Sequence, residues 1–445
     1  MKRGDTIVAI ATAAGRGAIG IVRVSGPDIE RVATGVLGRT PPARHAALAL
    51  FRDEHGATID QGLALYFPAP ASFTGEDMLE LQGHGGPVLL ARLVRACVAF
   101  GARAAQPGEF TFRAFSNDKI DLAQAEAVAD LIEAGTEEAA KCALRSLTGE
   151  FSQAIEELCR ELMDLRVLVE GTLDFPDEEI EFLHSGDMLG RLHRLRHRVA
   201  QTVAASRQGS LLREGIQVVL AGRPNVGKSS LLNRLAGEDA AIVTPIPGTT
   251  RDPIRQVLQI RGVPMQVIDT AGLRESMDPV ERLGIERAWS AIERADVVVL
   301  MRDAGAATDD GEEWWGRLPP SLPRIEVANK IDLTGETPGL ENRAGEVRVR
   351  LSALTGAGVE VLEDALLEAV GWRGTGEGLF MARERHLDAL RAAETLLAEA
   401  QADSSRLELV AEQLRLAHDA LGSIMGANTP DDLLGEIFSR FCIGK

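Results

Sequence analysis

Residues 216–230 read IQVVLAGRPNVGKSS, and this stretch decides the fold of the middle of the chain. A short apolar strand runs into the pattern G-x-x-x-x-G-K-S at 222–229, and the helical pattern SSLLNRLAG follows it. In a strand–loop–helix of this kind, the backbone N–H groups of the loop and the amino end of the helix face phosphate groups. The stretch therefore predicts a nucleotide site, with Lys228 on the β- and γ-phosphates and Ser229 on Mg²⁺.

The sequence around this loop alternates strand-like and helical segments from Gly215 to about Gly371. The strand-like runs are QVVLAG, VLQIRG, MQVIDTAG, ADVVVLM, RIEVANK and VRVRLSA. Such alternation is typical of a mostly parallel sheet covered by helices. Because helical patterns precede and follow it, we predict an α/β domain at 215–372 that is inserted into an α-helical bundle domain made of 119–214 and 373–445.

The first part of the helical domain carries an apolar stripe with helical spacing. Its members are Leu144, Leu147, Phe151, Ile155, Leu158, Leu162, Leu165 and Val169. The dipeptide Phe175-Pro176 breaks the stripe, which resumes at Leu189, Leu192, Leu195 and Val199. We expect one long amphipathic helix before the break and another after it.

The first 118 residues alternate short strand-like runs with turns, which predicts a small α+β domain. The runs are TIVAIATA, AIGIVRVSG, LALYFPAP and MLELQG. The glycines Gly15, Gly17 and Gly20 match the dinucleotide fingerprint G-x-G-x-x-G. That fingerprint requires a helix directly after it, whereas IVRVSG alternates like a second strand, so we reject a Rossmann site here.

Four further motifs identify the nucleotide. The run PGTTRD places Thr250 where a second Mg²⁺ ligand belongs, and Asp269 opens DTAG at a strand end. In NKID, the Asp332 carboxylate can accept hydrogen bonds from N1–H and the 2-amino group of guanine, donors that adenine lacks. The run Ser352-Ala353-Leu354 supplies a backbone amide for the guanine oxygen. Five elements in order, each at a strand end, predict a Ras-like GTPase domain.

The predicted GTP-binding residues come from all five elements. They are Asn225, Val226, Gly227, Lys228, Ser229, Ser230, Thr244, Pro245, Ile246, Pro247, Gly248, Thr249, Thr250, Asp269, Thr270, Ala271, Gly272, Asn329, Lys330, Asp332, Ser352, Ala353 and Leu354.

Three positions bear on catalysis. Leu273 stands where Ras-type GTPases carry the glutamine that orients water, so another polar group must do so, and Glu281 is the candidate. An exposed helix glutamate is the alternative interpretation of Glu281. Asn225 is either a turn residue or, with oxygens of the 244–249 loop, a ligand of a monovalent cation. The predicted Mg²⁺ ligands are Ser229 and Thr250.

Composition narrows the class of protein. A formal net charge of −18 argues against broad RNA binding, so any nucleic-acid contact must come from a local basic patch. No apolar run reaches the roughly 18–20 residues of a membrane span, and the N-terminus lacks a leader pattern, so we expect a cytoplasmic protein. Cys97, Cys142 and Cys159 lie in helical patterns and are expected to be packed thiols.

With these residues in view, the chain resembles the MnmE (TrmE) family of tRNA-modifying GTPases. The matching stretches are DTIVAIATAAGRGAIGIVRVSG, FTGEDMLELQGHGG, PGEFTFRAFSNDKIDLAQAEAVADLI, the GTPase motifs, and the terminal NTPDDLLGEIFSRFCIGK. The resemblance implies that 1–118 form a dimerising, tetrahydrofolate-binding-like domain that holds a 5-formyl- or 5,10-methylene-tetrahydrofolate. The family's folate contacts fall on Arg23, Glu80, Lys119 and Lys445, each of which could otherwise be an ordinary surface charge.

The resemblance also implies a place in a complex. The homodimer would join the flavoprotein MnmG (GidA) in a heterotetramer and build an aminomethyl or carboxymethylaminomethyl group at C5 of the tRNA wobble uridine. K⁺ would promote pairing of two GTPase domains, and its ligands would be Asn225, Thr244, Ile246 and Thr249. GTP hydrolysis would move the helical domain through the switch loops at 244–252 and 269–285. Cys442 is either a packed thiol or a thiolate that attacks C6 of uracil.

Two other interpretations of the same sequence stay open. A non-enzymatic GTPase switch in ribosome assembly or signalling would explain the α/β domain, but not the folate-type N-terminal domain or the FCIGK terminus. A free-standing folate-dependent transferase with a vestigial GTPase would leave five intact nucleotide motifs unexplained.

Overall fold

The computed structural model describes residues 4–174, 187–237, 255–269, 292–306, 318–320, 322–343, 346–374, 378–427, 429–441 and 443–444. The chain divides into two compact units, one made of 1–129, 152–167 and 411–445, and the other of 130–151 and 168–410. The α+β, helical and α/β parts predicted from the sequence are all present, with the α/β part between two sets of helices. The predicted boundaries at 118, 214 and 372 stay predictions.

The N-terminal part is built on a six-stranded sheet in the order β3-β4-β5-β2-β1-β6. Its strands are β1 (Ile7–Ile10), β2 (Gly17–Ser25), β3 (Ala47–Arg52), β4 (Thr58–Phe67), β5 (Met78–Gly85) and β6 (Arg103–Ala104). Helices α1 (Ile29–Leu37) and α2 (Pro87–Ala99) pack on one face, where Val22, Leu79 and Leu81 are buried with them. Helix α3 (Glu109–Ser116) follows β6.

The glycines of the G-x-G-x-x-G match lie in a hairpin. Strands β1 and β2 pair antiparallel, with Val8 opposite Val24, and no helix follows Gly20. The rejection of a Rossmann site is therefore confirmed. Strands β3 and β6 lie outside the predicted strand runs.

The helical part departs from prediction in two respects. Its helices are α4 (Leu122–Glu133), α5 (Glu137–Leu147), α6 (Glu150–Asp174), α7 (Asp187–Glu214), α11 (Glu384–Ala402), α12 (Leu407–Ile424) and α13 (Asp431–Ser439). The single long helix expected before Phe175 is wrong, because Gly149 adopts φ 94° and separates α5 from α6. Leu144, placed in the apolar stripe, is 49% exposed because the stripe changes direction at this break. The six members from Phe151 to Val169 are buried as predicted, and Phe175-Pro176 lies outside the described residues.

The α/β part contains a seven-stranded sheet in the order β12-β13-β11-β10-β7-β9-β8. The strands are β7 (Ile216–Gly222), β8 (Arg255–Ile260), β9 (Val263–Asp269), β10 (Val297–Asp303), β11 (Arg324–Asn329), β12 (Gly339–Arg343) and β13 (Glu346–Arg350). The described helices are α8 (Lys228–Ala236), the short α9 (Ile331–Thr334) and α10 (Val359–Ala369). The five strands from β13 to β9 are parallel, so their carboxyl ends share one edge of the sheet.

All six predicted strands of this sheet are present, and a seventh was missed. Strand β12 pairs antiparallel with β13 at the sheet edge, with Leu340 opposite Val349. Its sequence, GLENR, has little apolar alternation, because an edge strand needs to bury only part of one face. None of the described helices has the length and apolar character required to cross a bilayer.

Candidate functional site

The loop after β7 has the backbone of a phosphate-binding loop. Gly222 and Gly227 adopt φ 145° and 103°, and Asn225 adopts φ 66° between them. A Cβ at Gly227 would lie 2.2 Å from Asn329 Nδ2, and one at Gly222 would lie 2.4 Å from the Met301 carbonyl oxygen. Both positions therefore require glycine, and α8 begins directly after the loop with no side-chain cap on its first N–H groups.

Asn329 joins three of the predicted motifs. Its side chain is buried at 2% exposure, and its Nδ2 donates to the Val226 carbonyl of the phosphate loop at 2.7 Å. Its Oδ1 accepts from the Ala353 N–H at 2.8 Å. One amide side chain thus holds the phosphate loop, the NKID segment and the Ser352-Ala353-Leu354 segment in a single arrangement.

The carboxylate predicted to read guanine is oriented by a neighbour. Ser352 Oγ donates to Asp332 Oδ1 at 2.5 Å, with Ser352 fully buried and Asp332 exposed. Leu354 is 73% exposed, and its carbonyl accepts from Arg234 of α8. An acceptor with a fixed direction at the open edge of a sheet suits recognition of the donor edge of a base.

The phosphate and Mg²⁺ residues of the prediction that the structure describes lie at the same edge. Lys228 Nζ donates to the Gly222 carbonyl at 2.5 Å, and Ser229 and Ser230 lie in the first turn of α8, where Ser230 is exposed. The backbone of Asp269 ends β9 and pairs with Leu220 of β7. A hydroxyl and a strand-end carboxylate are hard oxygen donors of the kind that Mg²⁺ prefers.

Many predicted site residues lie outside the described residues. They are Thr244, Pro245, Ile246, Pro247, Gly248, Thr249, Thr250, Thr270, Ala271, Gly272, Glu281, Cys442 and Lys445. Their roles stay predictions.

One charged residue at this edge was missed by the sequence motifs. Asp303 ends β10, and its Oδ2 accepts from Lys330 Nζ at 2.8 Å. The signal that could have found it is the one that found Asp269, an aspartate directly after a buried strand.

A second cluster lies on the face of the six-stranded sheet opposite α1 and α2. Arg23 and Glu80 are register partners on β2 and β5, and Arg23 donates to Glu80 Oε1 from Nη2 at 2.9 Å and from Nε at 3.1 Å. The Arg23 guanidinium carbon also lies 5.7 Å from the Phe73 ring centroid and 6.0 Å from that of Phe110. Two of the predicted folate residues are therefore brought together beside aromatic rings.

The loop between β4 and β5 connects this cluster to a third predicted residue. Lys119 Nζ donates to the Pro70 carbonyl at 3.0 Å, and the loop continues to Phe73. A Cβ on Gly444 would lie 2.1 Å from the Ile10 carbonyl oxygen, so Gly444 lies against the end of β1. Arginine, lysine and carboxylate groups can pair with the glutamyl carboxylates and the amide edge of a folate, so the donor set fits that ligand.

A buried ionic network fixes the same loop. Its members are Asp5, Glu76, Arg103, Glu109 and Arg113. Arg113 is 5% exposed, and its guanidinium donates to Glu76 at 3.0 Å and Glu109 at 3.1 Å. Burial would raise the pKa of Glu109, but Arg103, the Gln106 N–H and Arg113 hold that pKa below its usual range. The pattern PGEFTFRAF contains Glu109 and Arg113, but only the fold brings them to Asp5 and Glu76.

The described cysteines are packed thiols, as predicted. Cys97 and Cys142 are fully buried, and burial raises the pKa of Cys97 to about 12 and that of Cys142 to about 11. Burial also raises the pKa of the half-buried Cys159 to about 11. All three are protonated at neutral pH.

Two family models match nearly the whole chain. The model described as "MnmE helical domain" matches residues 122–442, and that described as "GTP-binding protein TrmE N-terminus" matches residues 6–119. The chain belongs to the MnmE (TrmE) family. The helical-domain match extends across the α/β part, as expected for an inserted domain.

Curated members of the family match over their full length. The chain is 59% identical to the tRNA modification GTPase MnmE of Azoarcus sp. (strain BH72), over 99% of this chain and 98% of the relative. It is 57% identical to that of Nitrosomonas europaea, over 100% of both. Among solved structures, a variant of Aquifex aeolicus Era bound to GDP and aluminium fluoride is 29% identical, with a TM-score of 0.28, over 40% of this chain and 66% of that one.

Proposed function

We propose that this chain is the K⁺-stimulated GTPase subunit of the complex that modifies C5 of the tRNA wobble uridine. The observation that carries the proposal is the nucleotide edge, where Asn329 links the phosphate loop to the base-reading segment that holds Asp332. Full-length relatives named tRNA modification GTPases supply the context for that site.

Different residues at this edge bind the phosphates, the base and the Mg²⁺ ion of GTP. The loop around Gly227 and the first turn of α8 bind the phosphates, and Lys228 neutralises them. The Asp332 carboxylate selects guanine, since adenine would leave it without donors. Ser229 and Thr250 would hold Mg²⁺, which compensates phosphate charge.

Hydrolysis requires a cation, where an arginine finger would otherwise act, and a group that orients water, as the Ras-type glutamine does. Asn225 lies exposed in the phosphate loop at φ 66° and would share K⁺ with Thr244, Ile246 and Thr249. Glu281 would orient the attacking water, because Leu273 offers no polar group.

The Arg23–Glu80 cluster would hold the folate. Glu80 would accept from the amide and amine edge of the pterin, whereas Arg23, Lys119 and Lys445 would pair with carboxylates of the glutamyl tail. The folate supplies a one-carbon group when bound, as 5-formyl- or 5,10-methylene-tetrahydrofolate.

The same sheet face supports the homodimer. Its outward side chains include Leu48 at 66%, Leu50 at 40%, Leu63 at 40% and Ile19 at 67% exposure. Leu48 and Leu63 are direct register partners on β3 and β4, so the apolar surface is continuous. A second copy covering this face would remove apolar surface from water and would lie beside the folate cluster.

The remaining parts of the complex follow from family membership. The homodimer would join the flavoprotein MnmG in a heterotetramer, with tRNA as substrate, in the cytoplasm. The flavoprotein would supply much of the basic surface that a chain of net charge −18 lacks. Cys442 would attack C6 of uracil as a thiolate and thereby activate C5.

The β8–β9 hairpin supports coupling between the GTPase and helical parts. Strand β8 begins just after the 244–252 loop, and β9 ends at Asp269, where the second switch loop begins. At the hairpin tip, a Cβ on Gly262 would lie 2.7 Å from Glu138 Cγ in the first turn of α5. We propose that movement of the switch loops reaches the helices through this contact as well as through the two linkers.

The proposal is tested by GTP hydrolysis in KCl and NaCl at matched ionic strength. K⁺ should accelerate hydrolysis strongly, and Glu281→Ala should abolish that acceleration without loss of GDP binding. Equal rates in both salts would contradict the cation mechanism and favour a simple switch.

A modification assay with the purified flavoprotein tests the rest. Modification should require GTP and both proteins, and Cys442→Ser should abolish it while hydrolysis continues. Full modification by Cys442→Ser would overturn the nucleophile role alone.

A crosslink between the hairpin tip and α5 tests the coupling route. It should stop modification but not hydrolysis, and unchanged modification would contradict that route.

A further inference from the structure

Asp303 belongs to none of the nucleotide motifs but lies among them. It is the last residue of β10 and is the register partner of Asn329 on the parallel strand β11. Directly after it, the Ala304 N–H donates to the Asn329 carbonyl at 2.8 Å. The Asp303 side chain therefore starts from the same level of the sheet as the NKID segment.

Each carboxylate oxygen of Asp303 has its own partner. Oδ1 accepts from the Gly305 N–H at 3.0 Å, and Oδ2 accepts from Lys330 Nζ at 2.8 Å. The Lys330 ammonium and the Gly305 N–H hold the pKa of Asp303 below its usual range, so the carboxylate is ionised at neutral pH. The backbone contact fixes the carboxylate, and the carboxylate fixes the lysine.

The backbone of Lys330 adopts an uncommon conformation, and its ammonium group is held by Asp303. It adopts φ 70°, a left-handed conformation, between the buried Asn329 and the short helix α9. Such strain persists where the surrounding structure over-determines it, and it concentrates at functional sites. The side chain is about one-third exposed (31%), so a ligand at this edge can contact it.

We propose that Asp303 is a positioning residue for base recognition: it holds Lys330 so that the lysine side chain covers the face of the base whose edge Asp332 reads. This inference rests on the proposed GTP site. A lysine has four rotatable side-chain bonds, and ordering them on binding costs affinity. Because the ion pair orders them beforehand, it favours nucleotide binding without acting on the phosphates.

The test is the dissociation of a fluorescent GDP from the full-length chain carrying Asp303→Asn. We expect the dissociation constant to rise about tenfold, mainly through a faster off-rate, with kcat at saturating GTP within about twofold of wild type. The matched control is Glu326→Gln on the neighbouring strand, whose carboxylate lies 3.5 Å from Arg348. It makes the same charge change away from the base and should leave GDP dissociation unchanged.

Two further measurements separate positioning from general stability. In a Lys330→Met background, Asp303→Asn should have no further effect on GDP affinity, because the residue that it positions is gone. In an Asp332→Asn background, Asp303→Asn should weaken the binding of xanthosine diphosphate. The factor should equal that by which Asp303→Asn weakens GDP binding in the wild-type background, since Lys330 contacts the face of the base and not its edge. Full additivity with Lys330→Met, or an unchanged off-rate for Asp303→Asn, would overturn the inference. Wild-type chain that fails to bind GDP would overturn the proposed GTP site itself.

Discussion

The nucleotide edge of the seven-stranded sheet and the Arg23–Glu80 face of the six-stranded sheet are built in opposite ways. The first is made largely of backbone, in which glycine loops, helix ends and strand ends are tied together by one buried amide, Asn329. The second is made of side chains, since Arg23 and Glu80 meet only because β2 and β5 pair in one register.

This difference decides how far each site can be read from a sequence. A backbone site needs contiguous residues of special conformation, and these leave short motifs such as the run at 222–229. A side-chain site draws single residues from distant segments, as Arg23 and Glu80 are separated by 57 positions. A substitution in one region should therefore leave ligand binding in the other region unchanged.

The largest effect is expected at the base-reading carboxylate. Asp332→Asn should weaken GTP about a thousandfold, because the amide replaces one carboxylate acceptor with an N–H donor that opposes the 2-amino group of guanine. The same variant should gain affinity for xanthosine triphosphate, whose 2-oxo group accepts from that amide. Titration with both fluorescent nucleotides measures the exchange. Loss of both nucleotides would mean that the variant damages the fold, and retention of GTP would contradict the role of Asp332.

The buried network of the other region should dominate stability. Glu109→Gln leaves Arg113 and Arg103 without their buried carboxylate and should destabilise the N-terminal unit by about 3 kcal/mol. The folded-state pKa of Glu109 is depressed below its ordinary value of 4.5, so its contribution is present above that pH and is lost as pH falls through the folded pKa. The free energy of unfolding measured in urea should fall less between pH 7 and pH 3 in the variant than in wild type.

Glu412→Gln is the matched control for that prediction. Glu412 pairs with Arg415 at 2.7 Å on an exposed helix surface, where the Glu412 side chain is 54% exposed. Its loss should leave the urea midpoint unchanged. Equal effects of the two variants would show that the network is not a special source of stability.

A smaller effect separates backbone strain from steric contact in the phosphate loop. Gly227 and Gly335 both have positive φ, but a Cβ at Gly335 meets nothing within 4 Å. Alanine costs about 1–2 kcal/mol of backbone energy at either position, and only Gly227→Ala also pushes Asn329 from the loop. Gly227→Ala should therefore weaken GDP binding, though less than Asp332→Asn does, and Gly335→Ala should leave GDP binding unchanged. Equal GDP affinities would contradict the linking role of Asn329.

The parts that could be predicted are those with local signals. The three-part architecture, six strands of the α/β sheet and the mutual placement of the nucleotide motifs followed from contiguous patterns. The break at Gly149 was missed because the apolar stripe continues through it, and β12 was missed because an edge strand needs little apolar pattern. Asp303 and the Arg113 network depend on parallel register and on contacts between distant segments, which no single stretch of sequence reports.

The central claim is that the chain carries two separate ligand sites, one for a guanine nucleotide and one for a folate. The most direct test is a crossed binding measurement by calorimetry, in which GDP and 5-formyltetrahydrofolate are each titrated into Asp332→Asn and Glu80→Gln. We predict that Glu80→Gln weakens the folate about tenfold and leaves GDP binding unchanged. Asp332→Asn should weaken GDP about a thousandfold and leave folate binding unchanged. Folate binding that is insensitive to Glu80→Gln, or GDP binding that falls with it, would contradict the account.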